Sequence, residues 1–177
     1  MRSTSCACSN LIRIAAVGLT LVCWQASAFD AGKLDDFKTT NSCKYCDLTG
    51  APLAGRDLRG ADFQNANLSG ASLNGANLSE RAMEKRTLKT NFEDANLRQT
   101  DLMNANLHGA NFSNAYLREA KLDGADLSEA DLTNANARGA SFKGAKLQGA
   151  KLDNAKLEDA KFCNTVMPDA TLNNSGC

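Results

Sequence analysis

Ala125-Asp126-Leu127-Ser128-Glu129 runs directly into Ala130-Asp131-Leu132-Thr133-Asn134, and the same phrase occurs earlier as Ala61-Asp62-Phe63-Gln64-Asn65 and Ala66-Asn67-Leu68-Ser69-Gly70. Each unit gives Ala, a short polar residue, a large apolar residue, then two positions that are mostly polar or glycine. With the large residue as centre, Leu48, Leu53, Leu58, Phe63, Leu68, Leu73 and Leu78 form one series in steps of five. A second series runs from Phe92 to Leu172, broken by Ala137 and softened by Met167. Ala stands two residues before most centres, with Cys46, Arg56, Thr90, Thr100 and Thr165 as the departures.

A repeat is read before any propensity, and here the two disagree. Ala, Leu, Lys and Glu are strong helix formers. Five residues on a helix, however, advance about 500°, so successive leucines would stand about 140° apart and form no face. On a flat strand the same step changes sides every time. The pattern is buried by a chain that turns a corner every five residues, with each centre and each preceding Ala pointing into one axial core.

The units quoted above resemble the pentapeptide-repeat proteins, whose consensus is A(D/N)LXX, and the resemblance covers Cys43 to Cys177. It implies an all-β fold, a right-handed quadrilateral parallel β-helix with four units per turn. The two series then make about six turns and, at the spacing of stacked strands, a rod roughly 29 Å long. Residues twenty apart form columns on such a rod. Phe92 falls over Phe112 and Phe142 over Phe162, Asn114, Asn134, Asn154 and Asn174 make an external ladder, and Asp126 and Asp131 lie next to Lys146 and Lys151. Ala137 leaves an under-filled layer between Leu117 and Leu157.

A solenoid must close its ends. Residues 29–42 are expected to cap the N-terminal end, with Asp30 to Thr40 as a short amphipathic helix presenting Leu34 and Phe37 on one side. Residues 163–177 loosen the repeat and are expected to cap the other end, and the two cysteine-bearing ends resemble a branch of the family known from bacterial periplasm and photosynthetic lumen. In the implied rod, Cys43 and Cys46 lie at one end and Cys163 and Cys177 at the other, which favours those two pairs among three possible connectivities. The second bridge would contribute roughly 3 kcal/mol against fraying. A redox dithiol at Cys43-x-x-Cys46 lacks the βαβ context that lowers a thiol pKa, and a zinc site lacks a second ligand pair near it. No metal and no cofactor is expected, and His108 reads as a surface residue.

Residues 1–28 read as a secretory signal peptide: Arg2 and Arg13 precede the apolar run Ile14 to Trp24, and Ala26-Ser27-Ala28 supplies the cleavage site. No run is long enough for a membrane span in the mature chain. The expected location is periplasmic or secreted, or lumenal in a photosynthetic host, an oxidising setting that suits four remaining cysteines. The whole chain has 20 Lys+Arg and 20 Asp+Glu. That balance removes the basic surface that nucleic-acid binding needs and the acidic bias of a DNA mimic.

Three surface features are left as candidate binding sites. Arg98, Arg118 and Arg138 fall in one column about 4.8 Å apart, a like-charge ladder that Glu158 continues and partly offsets. Lys146, Lys151, Lys156 and Lys161 occupy one position on all four sides of a coil. Residues 79–89 break the register and read as a loop from one corner, carrying Arg81, Lys85, Arg86 and Lys89. A solvated charged face and a tolerated insertion are the bland readings of these features.

With no His-carboxylate, Ser-His or metal cluster on neighbouring columns and a core filled by Leu, Phe and Ala, the sequence points to a non-enzymatic exported scaffold with a macromolecular, protein partner. Two alternatives stand beside it. One is a DNA-mimicking, gyrase-binding protein, as the resemblance to the best characterised family members implies. The other is a periplasmic thiol-disulfide oxidoreductase using Cys43 and Cys46.

Overall fold

The computed structural model describes residues 41–84 and 86–177. The signal-peptide segment and the expected capping helix over Asp30 to Thr40 lie outside the described residues.

The chain winds as a four-sided β-solenoid of six coils. Parallel bridges join successive coils, from Ser42↔Asp62 to Lys146↔Val166, at a separation of twenty residues except between the second and third coils, where it is twenty-nine. The ladder has one rule: the amide of each centre donates to the coil after it, and the residue before the centre donates to the coil before it. Thus Leu97 N donates to Tyr116 O at 2.8 Å, and Tyr116 N to Ala95 O at 2.9 Å. Every side is therefore a stack of three-residue strands, too short to register as more than bridges.

The five-residue period follows from turn chemistry. After each centre the chain reverses through a four-residue turn, as in Ala51 N to Leu48 O at 2.9 Å. The third residue of that turn has positive φ, +67° at Gly50, +59° at Asn114 and +60° at Glu129, as a type II turn requires. That requirement accounts for the Gly and Asn at the end of so many units. The Asp or Asn before each centre fastens the same corner, because its side-chain oxygen accepts the amide two residues on. Examples are Thr49 N to Asp47 Oδ1 at 3.0 Å, Ser113 N to Asn111 Oδ1 at 3.0 Å and Thr133 N to Asp131 Oδ1 at 3.0 Å.

These carboxylates make the corners sensitive to acid. The Thr49 hydroxyl and amide hold Asp47 below its ordinary value. At Asp126 and Asp131 burial pushes upward, but hydrogen bonds from Ser128 and Thr133, with Lys151 beside Asp131, outweigh it and the net direction is down. A carboxylate with a lowered folded pKa stabilises the fold above its unfolded value of about 4, and the contribution is lost as pH falls through the folded value. Thermal melts at low salt are expected to hold level from pH 8 to 5 and to drop below about pH 4. A melting temperature that stays constant far into acid would show that these corners do not depend on charge.

Inside, the centres and their Ala partners are fully excluded from water over most of the rod. Three phenylalanines stack along one side, with Phe63–Phe92 centroids 5.3 Å apart and Phe92–Phe112 4.8 Å, and Phe142–Phe162 stack at 5.4 Å on another. Ala137 is buried in a column that Leu97 and Leu117 fill elsewhere. The threonines that replace Ala are buried too, and each hydroxyl bonds a carbonyl of a neighbouring coil: Thr100 to Leu68 O at 2.9 Å, Thr165 to Phe142 O at 2.6 Å, and Thr90 to Leu58 O at 3.4 Å. Among the described residues no buried side-chain polar atom lacks a partner. Arg56, at the first coil, is exposed.

Three expectations need correction. The gap between Leu78 and Phe92 is one ordinary five-residue step plus a nine-residue insertion, because Asp62 bridges Asn91 directly. The insertion is no open loop but an antiparallel hairpin, β1 (Arg81–Met83) paired with β2 (Arg86–Leu88). At the other end the period stops before Leu172. There β3 (Thr165–Val166) pairs antiparallel with β4 (Leu172–Asn173), which leaves Leu172 60% exposed. Asn174 therefore leaves the expected ladder: Asn134 does bond Asn114 at 3.2 Å, but Asn174 Oδ1 accepts the Asn164 amide at 2.9 Å.

Candidate functional site

The arginine column lies on the side whose centres are Leu68, Leu97, Leu117 and Ala137, the last standing where a larger residue is usual. Arg98, Arg118 and Arg138 each follow a centre, and the ladder places them on successive coils, since Gln99 N donates to Arg118 O and Glu119 N to Arg138 O, both at 3.0 Å. Three like charges at strand spacing repel. The structure offsets each differently. Arg138 Nε bonds Glu158 Oε2 at 3.1 Å, so Glu158 does neutralise part of the column. Arg118 Nε bonds Glu119 Oε1 at 3.2 Å. Arg98 lies over the Tyr116 ring, 5.4 Å from its centroid, an arrangement in which the ring face attracts the cation.

Glu119 links the column, since Gln99 Nε2 donates to its other oxygen at 3.0 Å, and that hydrogen bond together with Arg118 holds its carboxyl below the usual range. Ser69, Arg98, Gln99, Arg118 and Glu119 line one shallow groove, and Arg118, Glu119, Arg138, Gly139 and Asp159 line the next. What results is a flat surface on which Arg118 and Arg138 are each paired with a glutamate, with Tyr116 45% exposed beside them. The sequence reading did not single out Tyr116. It stands before its centre, where Asp or Asn is usual, and the ladder puts it between Asn96 and Asn136.

The four lysines stand on four different sides and do not converge. Lys146 bridges Asp126, Lys151 bridges Asp131, Lys156 bridges Asn136 and Lys161 bridges Ser141. Lys151 Nζ lies 3.3 Å from Asp131 Oδ2. The hairpin brings Arg81 and Lys89 to its base, where Lys89 Nζ is 3.6 Å from Glu80. Lys85 and the Arg86 side chain lie outside what the structure describes. Met83, near the tip, is 51% exposed.

Cys43 and Cys46 are bonded to each other, as are Cys163 and Cys177. Cys43 occupies the first centre and Cys46 the next Ala position, so both sulfurs sit in the core, 2% and 7% exposed. His108 Nε2 is 4.0 Å from Glu129 on the surface. Among the described residues no group of three or more His, Cys, Asp or Glu could hold a metal ion, and no helix is long and apolar enough to cross a membrane.

The family model of pentapeptide repeats matches eight copies, over residues 43–80, 89–118, 110–149 and 145–175. Among solved structures, a pentapeptide repeat protein, Rfr23, from the cyanobacterium Cyanothece 51142 is 27% identical with a TM-score of 0.59, covering 77% of this chain and 97% of that one. HetL, a pentapeptide repeat protein involved in heterocyst differentiation regulation from the cyanobacterium Nostoc sp. strain PCC 7120, is 32% identical with a TM-score of 0.50, covering 75% of this chain and 66% of that one. The sequence matches no curated protein.

Proposed function

The chain belongs to the pentapeptide-repeat family, and on that premise we propose that it is an exported, non-enzymatic scaffold whose arginine side binds a protein partner. The observation that carries this reading is Tyr116, half-exposed beneath Arg98 and beside a column in which Arg118 and Arg138 pair with Glu119 and Glu158. Tyr and Arg are enriched among the residues that carry the binding energy of protein interfaces. A closed core of Leu, Phe and Ala provides no interior site, so recognition belongs to the outside of the rod. A regulatory role like that of HetL is compatible with a protein that acts by binding alone.

The test is photo-crosslinking from a probe beside the column in an extract of the native host. Replacing Arg98, Arg118 and Arg138 together by Glu is expected to reduce partner capture at least roughly tenfold, as expected when several interface arginines are lost. Tyr116→Ala should give a smaller loss. Undiminished capture by the triple variant, with its melting curve unchanged, would return the column to an ordinary solvated face.

Export rests on residues 1–28. Intact mass of the unreduced protein from its native host is expected to correspond to a chain beginning at Phe29 with both bridges formed. An unprocessed chain would overturn the exported location and reopen the cytoplasmic, gyrase-binding alternative. Against that alternative, a DNA mimic needs an acidic surface, and this rod exposes an arginine column and the lysines of its last coils. The dithiol alternative requires a sulfur that a substrate can reach, and Cys43 and Cys46 are buried.

A further inference from the structure

The two disulfides differ in what surrounds them. Cys43–Cys46 is sealed in the core of the first coil. Cys163–Cys177 joins the last coil to the tail that follows it, with Cys163 half-buried and Cys177 exposed. Between them the tail folds back over the end of the rod as a lid. Ser175 O accepts the Phe162 amide at 2.9 Å, Asn174 Oδ1 accepts the Asn164 amide at 2.9 Å, and Thr171 O accepts the Met167 amide at 2.8 Å. The lid also lies flat, since a Cβ on Gly176 would come within 3.2 Å of Lys161 Cα.

The lid covers only half the end. On the two sides it crosses, it satisfies amides that elsewhere donate to the next coil. On the other two, the amides of Leu152, Asn154, Leu157 and Asp159 have no backbone acceptor among the described residues. Lifting the lid would turn the end into a strand edge on all four sides, the kind of edge that folded proteins keep covered. Those three hydrogen bonds and the two-residue pairing of β3 with β4 hold the lid to the rod. The link between Cys163 and Cys177 is the covalent restraint on it.

We propose that Cys163–Cys177 is a reducible latch on this lid, open to a dithiol reductant, while Cys43–Cys46 is a permanent structural bridge. A thiolate of the reductant attacks the more exposed sulfur, Cys177 Sγ. The bond to Cys163 Sγ breaks, and Cys163 leaves as a thiolate that takes up a proton. The reductant's second thiol then displaces Cys177 from the mixed disulfide. The protein gains two electrons and two protons as two thiols, and the reductant leaves as its own disulfide. Freed of a loop closed over a separation of 14 residues, the lid opens more readily by a factor on the order of 100, the loop-closure entropy that the bridge had removed.

The experiment uses the full chain titrated with dithiothreitol, followed by alkylation, peptide mapping and amide hydrogen exchange. Cys163 and Cys177 are expected to be alkylated at reductant concentrations that leave Cys43 and Cys46 bonded. Exchange at Phe162, Asn164 and Met167 should accelerate about 100-fold, while the amides of Leu97 and Leu117 stay protected. A variant carrying Cys163→Ser and Cys177→Ser should show the same acceleration without reductant. Reduction of Cys43–Cys46 first or in parallel would overturn the proposal, and so would unchanged exchange in the double variant.

Discussion

Phe92→Ala is expected to lower the stability of the fold by about 4 kcal/mol, the middle of the range for removing a buried aromatic ring. Phe92 is fully buried and stacked on both sides, on Phe63 at 5.3 Å and on Phe112 at 4.8 Å. In a solenoid each coil touches only its neighbours, so a ring between two others supports two inter-coil contacts at once. A rigid coil held by ladders on four sides cannot collapse into the space left behind, and the cost of a cavity grows with the volume that stays empty. Phe162 provides the internal comparison. It stacks on Phe142 alone and is 7% exposed at the last full coil, so Phe162→Ala should cost about half as much. Urea unfolding of both variants measures the difference. Equal losses would mean that the aromatic column is no more than the sum of its buried area.

The reading of the chain succeeded where the period runs unbroken. Steps of five identify every buried centre from Leu48 to Phe162, and steps of twenty identify the Phe92–Phe112 and Phe142–Phe162 stacks and the alignment of Asp131 with Lys151. It failed where the chain leaves the period or crosses it diagonally. The hairpin lengthens the step from Phe63 to Phe92 to twenty-nine residues, so a search at twenty misses them although their rings stack. Leu172 keeps the spacing, but the reversal after Met167, with Met167 N bonded to Thr171 O at 2.8 Å, turns it outward, and spacing carries no record of direction. The threonines at Ala positions stood out only as departures from the pattern, and their hydroxyls bond carbonyls of neighbouring coils. At the candidate site the arginine column was visible as a column. Tyr116 was not, because it meets Arg98 across the diagonal between coils, eighteen residues away.

The second large effect concerns how the hairpin is joined to the rod. Gly60→Ala is expected to cost about 3 kcal/mol, whereas Gly55→Ala, at the same position of the preceding unit, should cost about 1 kcal/mol. Both glycines have nearly the same positive φ, +63° and +65°, so the conformational cost of a side chain in the left-handed region is common to the two. What differs is space. A Cβ on Gly55 meets nothing within 4 Å, but one on Gly60 comes within 2.9 Å of Leu88 Cβ, 3.0 Å of Arg81 Cβ and 3.0 Å of Leu88 O. Those contacts are the two ends of the hairpin, one of them backbone that cannot rotate aside. The Gly60 amide also donates to buried Thr90 Oγ1 at 3.0 Å, so moving the corner strains the seat of Thr90 as well. The difference between the two variants therefore isolates the docking of the hairpin from the intrinsic preference of the turn. Thermal unfolding gives that difference directly, and exchange at the amides of β1 and β2 should rise in the Gly60 variant alone. If both variants lose the same stability and the hairpin stays protected in each, the hairpin rests on the rod without being held by it at Gly60.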